Sequence, residues 1–156
     1  MNTRIAWFHF LRSVGCVAAA LALSATSHAQ TEYPLNDPDV VSEVEALVNQ
    51  YNHALLTNDV KSLNGFFLES PTSVRFGNAE NLYGIEQIRA YRASVATPPA
   101  LVRESVIVTT YGRDFATVAM RNVPSGGRIG RTMQTWVRFP RGWRIVAAHV
   151  SSMPGP

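Results

Sequence analysis

The sequence predicts an α+β domain with helices packed on the concave face of a curved antiparallel sheet. Three observations carry this. Apolar residues recur mainly at helical spacing before Pro98-Pro99, then at period two from Leu101 onward. Turn signals separate the period-two runs. Such short turns demand antiparallel neighbours, and helices gathered ahead of a meander have one sheet face to cover.

Asn36-Asp37-Pro38-Asp39 is a helix start, with a capping side chain, proline at the first helical position and an acid in the first turn. Val40, Val41, Val44, Leu47, Val48, Tyr51 and Leu55 form one apolar stripe, so the first helix is expected to run to about Thr57. Asn58-Asp59 caps a shorter helix over VKSLNGFF, weakened near its end by Gly65. An extended piece, Thr72 to Phe76, lies between Pro71 and Gly77, and GNAENLYG reads as a loop. Gly84 opens a third helix with Ile85, Ile88 and Tyr91 on one face. Four strands follow, VRESVIVTTYG, DFATVAMRNV, RIGRTMQTWVRF and GWRIVAAHVSS. A curved sheet with helices across its mouth makes a cone, whose concave side is a natural pocket.

The chain is one domain preceded by export machinery. Residues 1–29 have the parts of a secretory signal: Arg4 and Arg12, an apolar run of roughly 12 residues from Val14, and Ser27-His28-Ala29. The run is too short to span a bilayer. Residues 30–36 read as a leader, 37–152 as the domain and 153–156 as a tail. The expected location is periplasmic or secreted, with no membrane attachment after cleavage. Cys16 is the single cysteine and lies in the signal, so the mature chain has no thiol for disulfides, catalysis or metal.

Residues 30–90 carry nine acids and three bases, and residues 91–156 carry two acids and nine bases. Acids on helices and bases on the sheet of one domain account for this. No long basic run or nucleic-acid-binding signature is present, so no nucleic acid is expected as partner. No nucleophile motif, phosphate loop or metal constellation is present either, and no cofactor or metal is expected.

Parity decides which residues line the pocket. Phe139-Pro140-Arg141-Gly142-Trp143 fits a three-residue hairpin connection with Gly142 left-handed. Phe139 then faces Trp143, and counting back pairs Met133 with His149 and Arg131 with Ser151. Trp143 and Ile145 are large and apolar, so alternation puts His149 and Arg131 with them on the concave face. A two- or four-residue turn reverses the parity. His149 then shares a face with Thr132, Gln134 and Trp136, and Arg131 points away.

His149 is the candidate catalytic residue, because an imidazole serves as base, acid or neutral donor near neutral pH. Arg75 and Arg131 are candidate ligand-binding residues, since guanidinium forks hold a planar carboxylate bidentately. Tyr83 is a third, with its phenol at the pocket mouth, and Gln134 and Trp136 join under the alternative parity. Glu80 reads equally as a base or as an acid at a helix start. Arg128 reads as a turn residue and His53 as surface. Arg92 gives no functional signal at this level.

The closing W-x-I-x-x-x-H-x-S, Trp143 to Ser151, and the element order resemble the SnoaL-like branch of the nuclear-transport-factor-2-like (NTF2-like) superfamily. NDPDVVSEVEALVNQYNHALLTNDVKSLNGFF, VRFGNAENLYGIEQIRAYRA and IGRTMQTWVRFPRGWRIVAAHVS more narrowly resemble the AtzH-like family, which includes the oxalurate-catabolism protein HpxZ. The resemblance implies an NTF2-like cone, usually a homodimer, and a setting near amidase-type enzymes acting on oxalurate or triazine-derived ureas. Members of that family are typically cytoplasmic, so the export signal is a departure. Two functions remain open. One is a pocket for a small carboxylated or ureide-type molecule with acid–base or hydrolytic chemistry. The other is a non-catalytic dimeric ligand-binding or accessory module.

Mass spectrometry of the exported protein should find a chain beginning at Gln30. Recovery of the cytoplasmic chain alone, with Met1 retained, would refute the signal.

Overall fold

A computed structural model of the chain describes residues 34–123 and 125–155. The expected signal, the first leader residues and the cleavage point lie outside the described residues. No helix among the described residues is long and apolar enough to cross a membrane.

Helix α1 spans Pro38–Leu56, and the Asp37 side chain caps it by accepting from the Asp39 N–H at 3.1 Å. Its buried residues are Val40, Val44, Val48, Tyr51 and Ala54, a narrower stripe than the sequence suggests. Helix α2 spans Val60–Phe66 and is capped by Asp59, which accepts from Ser62 N–H at 3.0 Å. Strands β1 (Val74–Phe76) and β2 (Asn81–Tyr83) come next, so the expected loop contains a short strand. Helix α3, Gly84–Ser94, opens at a glycine with φ of 77°, where the first helical residue must turn back from the β2 strand. Its buried side chains are Ile85, Ile88 and Arg92, whereas Tyr91 is only half-buried.

Strands β3 (Arg103–Tyr111), β4 (Phe115–Asn122), β5 (Arg128–Phe139) and β6 (Gly142–Pro154) form the expected meander. Strand β6 runs two residues beyond the expected domain end at Ser152. The six strands lie in the order β2-β1-β6-β5-β4-β3. The sheet is mixed rather than purely antiparallel, because β1 runs parallel to β6. The two are far apart in sequence, so a crossover through the intervening elements permits that direction.

The core fills the space between helices and sheet. Val44 and Val48 of α1, Leu63 of α2 and Ile88 of α3 are buried with Val118, Trp136 and Ile145 of the sheet. Phe66 bridges the layers, edge-on to Tyr51 at 5.6 Å and to Trp136 at 6.1 Å between ring centroids.

Two irregularities in the sheet set the faces. The β5–β6 hairpin has a two-residue turn, Pro140-Arg141, and Phe139 pairs with Gly142. That corrects the three-residue connection. Near the turn, Arg138 pairs with Trp143 and Trp136 with Ile145; beyond it, Thr135 pairs with Ala147. Val146 is left over, a β-bulge. Beyond the bulge Met133 does pair with His149 and Arg131 with Ser151. The bulge has meanwhile reversed the face of β6, so both pairs point away from the helices. On β3 the register also shifts between Arg103 and Ser105, leaving Glu104 over. That bulge brings Arg103, paired with Asn122, onto the helix-facing side.

Candidate functional site: an arginine-lined pocket

A cavity of about 360 Å³ opens where the helices leave the concave face of the sheet. Its lining includes Arg75 of β1, Tyr91 and Arg92 of α3, Arg103 of β3, Tyr51 of α1 and Glu80 of the β1–β2 turn.

Arg75 reaches the cavity because β1 alternates. Val74 and Phe76 align with Ala147 and His149 on the outer side, and Arg75 aligns with Ala148 on the inner side. The small side chain of Ala148 leaves room for the guanidinium, which is buried and lies 4.6 Å over the Tyr91 ring. Arg75 also forms an ion pair with Glu80. The absence of a side chain at Gly77 leaves the space that this carboxylate occupies. Burial pushes the Glu80 carboxyl up, but the Arg75 hydrogen bond and charge outweigh it, helped by the Ala79 N–H and the Tyr91 hydroxyl. The net result is a carboxyl below its ordinary 4.5, held as the anion.

Arg92 is 5% exposed and donates from Nη2 to the Tyr51 hydroxyl at 3.0 Å. Its Nε has no hydrogen-bond partner among the described residues. Arg103 donates from Nε and Nη2 to Oδ1 of Asn52, at 3.2 and 3.1 Å, and from Nη1 to Oδ1 of Asn122 at 2.6 Å. Burial lowers the Arg103 pKa, partly offset by the Tyr51 oxygen nearby. The arrangement attracts an anion: three guanidinium groups face one cavity with one carboxylate, already paired. Among the described residues no cluster of His, Cys, Asp or Glu is placed to hold a metal ion.

The sequence model of the AtzH-like family matches residues 33–155. The chain belongs to the AtzH-like family. A crystal structure of a protein of unknown function from Pectobacterium atrosepticum is 45% identical, with a TM-score of 0.72 over 76% of this chain and 94% of that one. A cystatin-like-fold protein from Burkholderia xenovorans is 42% identical, with a TM-score of 0.75 over 79% of this chain and 98% of that one. An NTF2-like superfamily protein from Salmonella enterica is 21% identical, with a TM-score of 0.62 over 76% and 92% of the two chains, a likeness of fold. No curated protein matches. The α+β architecture is thus that of the NTF2-like fold.

In this AtzH-like domain the residues singled out by sequence are divided between two faces. Arg75 lines the pocket. Gln134 and Trp136 are buried on the inner face, Trp136 Nε1 donating to Gln134 Oε1 at 3.0 Å, but neither lines the cavity; Thr132 of the same face does. His149 and Arg131 are exposed on the outer face, contrary to the expectation that both face the helices. Tyr83 is 59% exposed there too, its ring edge-on to Phe76, which in turn meets His149 edge-on at 6.4 Å. Arg128 bonds to Ser152 near the β5–β6 strand ends. Arg92 and Arg103 are the pocket residues that sequence reading missed. A signal for Arg92 existed, since it follows Ile85 and Ile88 at seven and four residues on the buried stripe of α3.

Because Glu80 has a lowered folded pKa, its contribution to stability is present above pH 4.5 and is lost as pH falls below that value. Urea unfolding at about pH 6 and about pH 3 should show a larger acid loss for the native chain than for Glu80→Gln. Equal losses would remove the ion pair from the account.

Proposed function

We propose that this chain is a ligand-binding member of the AtzH-like family whose arginine pocket takes a small organic anion, a carboxylated or ureide-type molecule. One observation carries the reading: Arg92 is buried and its hydrogen-bond partner is a neutral phenol. A buried charge left without a counter-charge costs several kcal/mol, roughly, and an anionic ligand supplies that counter-charge. Amide and hydroxyl groups at Asn122, Thr132 and Tyr51 offer the polar contacts that a ureide would use.

Binding without turnover is the better-supported of the two functions. Among the described residues no histidine lines this inner pocket, and the one carboxylate that does, Glu80, is ion-paired with Arg75. Burial favours the neutral acid, but the pairing with Arg75 outweighs it and keeps the Glu80 pKa low, which makes that carboxylate a weak general base. The kinship with HpxZ in the SnoaL-like branch, and export to the periplasm or beyond, belong to the same proposal. The closing Trp143 to Ser151 motif supports the first and residues 1–29 support the second.

We also propose a homodimer formed through the outer sheet face. Phe76, His149, Met133, Ala119 and Ile107 lie in register across five strands, a row of largely apolar side chains. Ile107 and Met133 in it are 60% and 49% exposed. Exposed apolar rows of this kind mark interaction sites.

Thermal shifts with a panel of small carboxylates and ureides should find a stabilising ligand. Arg92→Gln should weaken it by roughly 1–3 kcal/mol, the worth of a charged hydrogen bond. An unchanged affinity in a folded Arg92→Gln variant would move the site elsewhere. Sedimentation at micromolar concentration should show a dimer burying roughly 1,200 Å² or more, which Met133→Glu converts to monomer. A native chain that sediments as a monomer would reject the interface.

A further inference from the structure

His149 stands apart from the inner pocket, in the row that runs from Phe76 to Ile107 across the outer sheet face. It is exposed and meets the Phe76 ring edge-on. On one side of the row Thr109, Thr117 and Thr135 lie in register and carry no charge. On the other side Arg121 and Arg131 are cross-strand partners. Arg131 is the diagonal neighbour of His149, a separation that long side chains span on a sheet. Both line a cleft of about 500 Å³ on this face, together with Met133 and Ile107.

The charges around the imidazole are unequal. Glu104 is the carboxylate at this end of the face, and it is already ion-paired with Arg121. Tyr83, which packs on Phe76, adds a phenol. Asp114 and Arg144 stand at the far end, by the hairpin turns. The centre of the face is thus neutral as long as His149 is neutral. A centre depleted in charge with a charged margin is the composition of a protein interface. A second copy of the chain fits it, because a two-fold dimer sets the same patch on both sides and a neutral patch does not repel itself.

Protonation removes that neutrality. An imidazolium covered by the partner loses its water and stands beside Arg131 with no free carboxylate to answer it. The dimer therefore favours the neutral ring more than the monomer does, and association weakens as protons bind. An imidazole is the side chain suited to this, since it changes charge between about pH 5 and 8.

We propose that His149 makes the dimer acid-labile: the neutral ring packs in the interface, and the protonated ring beside Arg131 drives the copies apart. This rests on the dimer reading above and adds its regulation.

Sedimentation of the native chain at about pH 8 and about pH 5.5 provides the test. Both values lie above the acid range in which Glu80 titrates. The dimer dissociation constant should rise about ten-fold or more between them. His149→Gln should keep a nearly constant value, and it leaves His53 of α1 in place as the control imidazole. Arg131→Gln should lessen the rise, because one like charge is gone. Should His149→Gln not dimerise at the higher pH, His149→Phe, an uncharged ring, takes its place. A native constant that does not change, or a His149→Gln dimer as acid-sensitive as the native one, overturns the switch and leaves the interface standing. A native chain that is monomeric at both pH values overturns the interface as well.

Discussion

Side chains on a strand alternate between faces, so one inserted residue reverses everything beyond it. This constraint, applied twice, organises the molecule. At Glu104 an insertion turns Arg103 toward the helices, where it meets Asn52 and Asn122. At Val146 another keeps Trp143 and Ile145 in the core and still lets Ala148 and Val150 face inward. The price is that His149 faces out. Bulges of this kind also bend and twist the strand, which suits a sheet that wraps around helices.

The pocket is built on the core rather than beside it. Tyr51 belongs to the buried stripe of α1, packs edge-on to Phe66 and ends in the hydroxyl that holds Arg92. Phe66 reaches Trp136, so the arginine is positioned by the same aromatic stack that joins helix to sheet. Burying a guanidinium there is tolerated because its stem packs against apolar surface and its head meets a ring face and a hydroxyl. Arg75 follows the same rule with Tyr91.

The uneven charge of the two halves is resolved within the domain. Arg138 and Arg113, from the basic half, bond to Glu43 and Asp37, from the acidic half, at 3.0 and 3.1 Å. Arg138 also lies 4.8 Å over the Trp143 ring. Exposed pairs such as these add little stability each. Their consequence is that the basic stretch is partly neutralised by the helix it covers, and the excess positive charge that remains inside is at the pocket.

Helix starts, turn glycines and the change of hydrophobic period are local properties, so the sequence by itself determined the helices, the four-strand meander and the layering; Met133 pairs with His149 as expected only because the Val146 bulge supplies the residue that the two-residue turn lacks. The sequence also carried Arg75, whose strand alternates without interruption between Pro71 and Gly77, and it held a trace of Arg92 in the spacing from Ile85 and Ile88. The tertiary structure decided which face each strand end presents. Val146 and Glu104 are bulged without a glycine, proline or asparagine to mark them; what selects them is the fit of Trp136 and Ile145 to the helices at one end of the sheet and of the pocket wall at the other. A bulge is settled by packing over distances that the local pattern does not span, and that is why the arginines of the site emerged from the fold and the histidine left it.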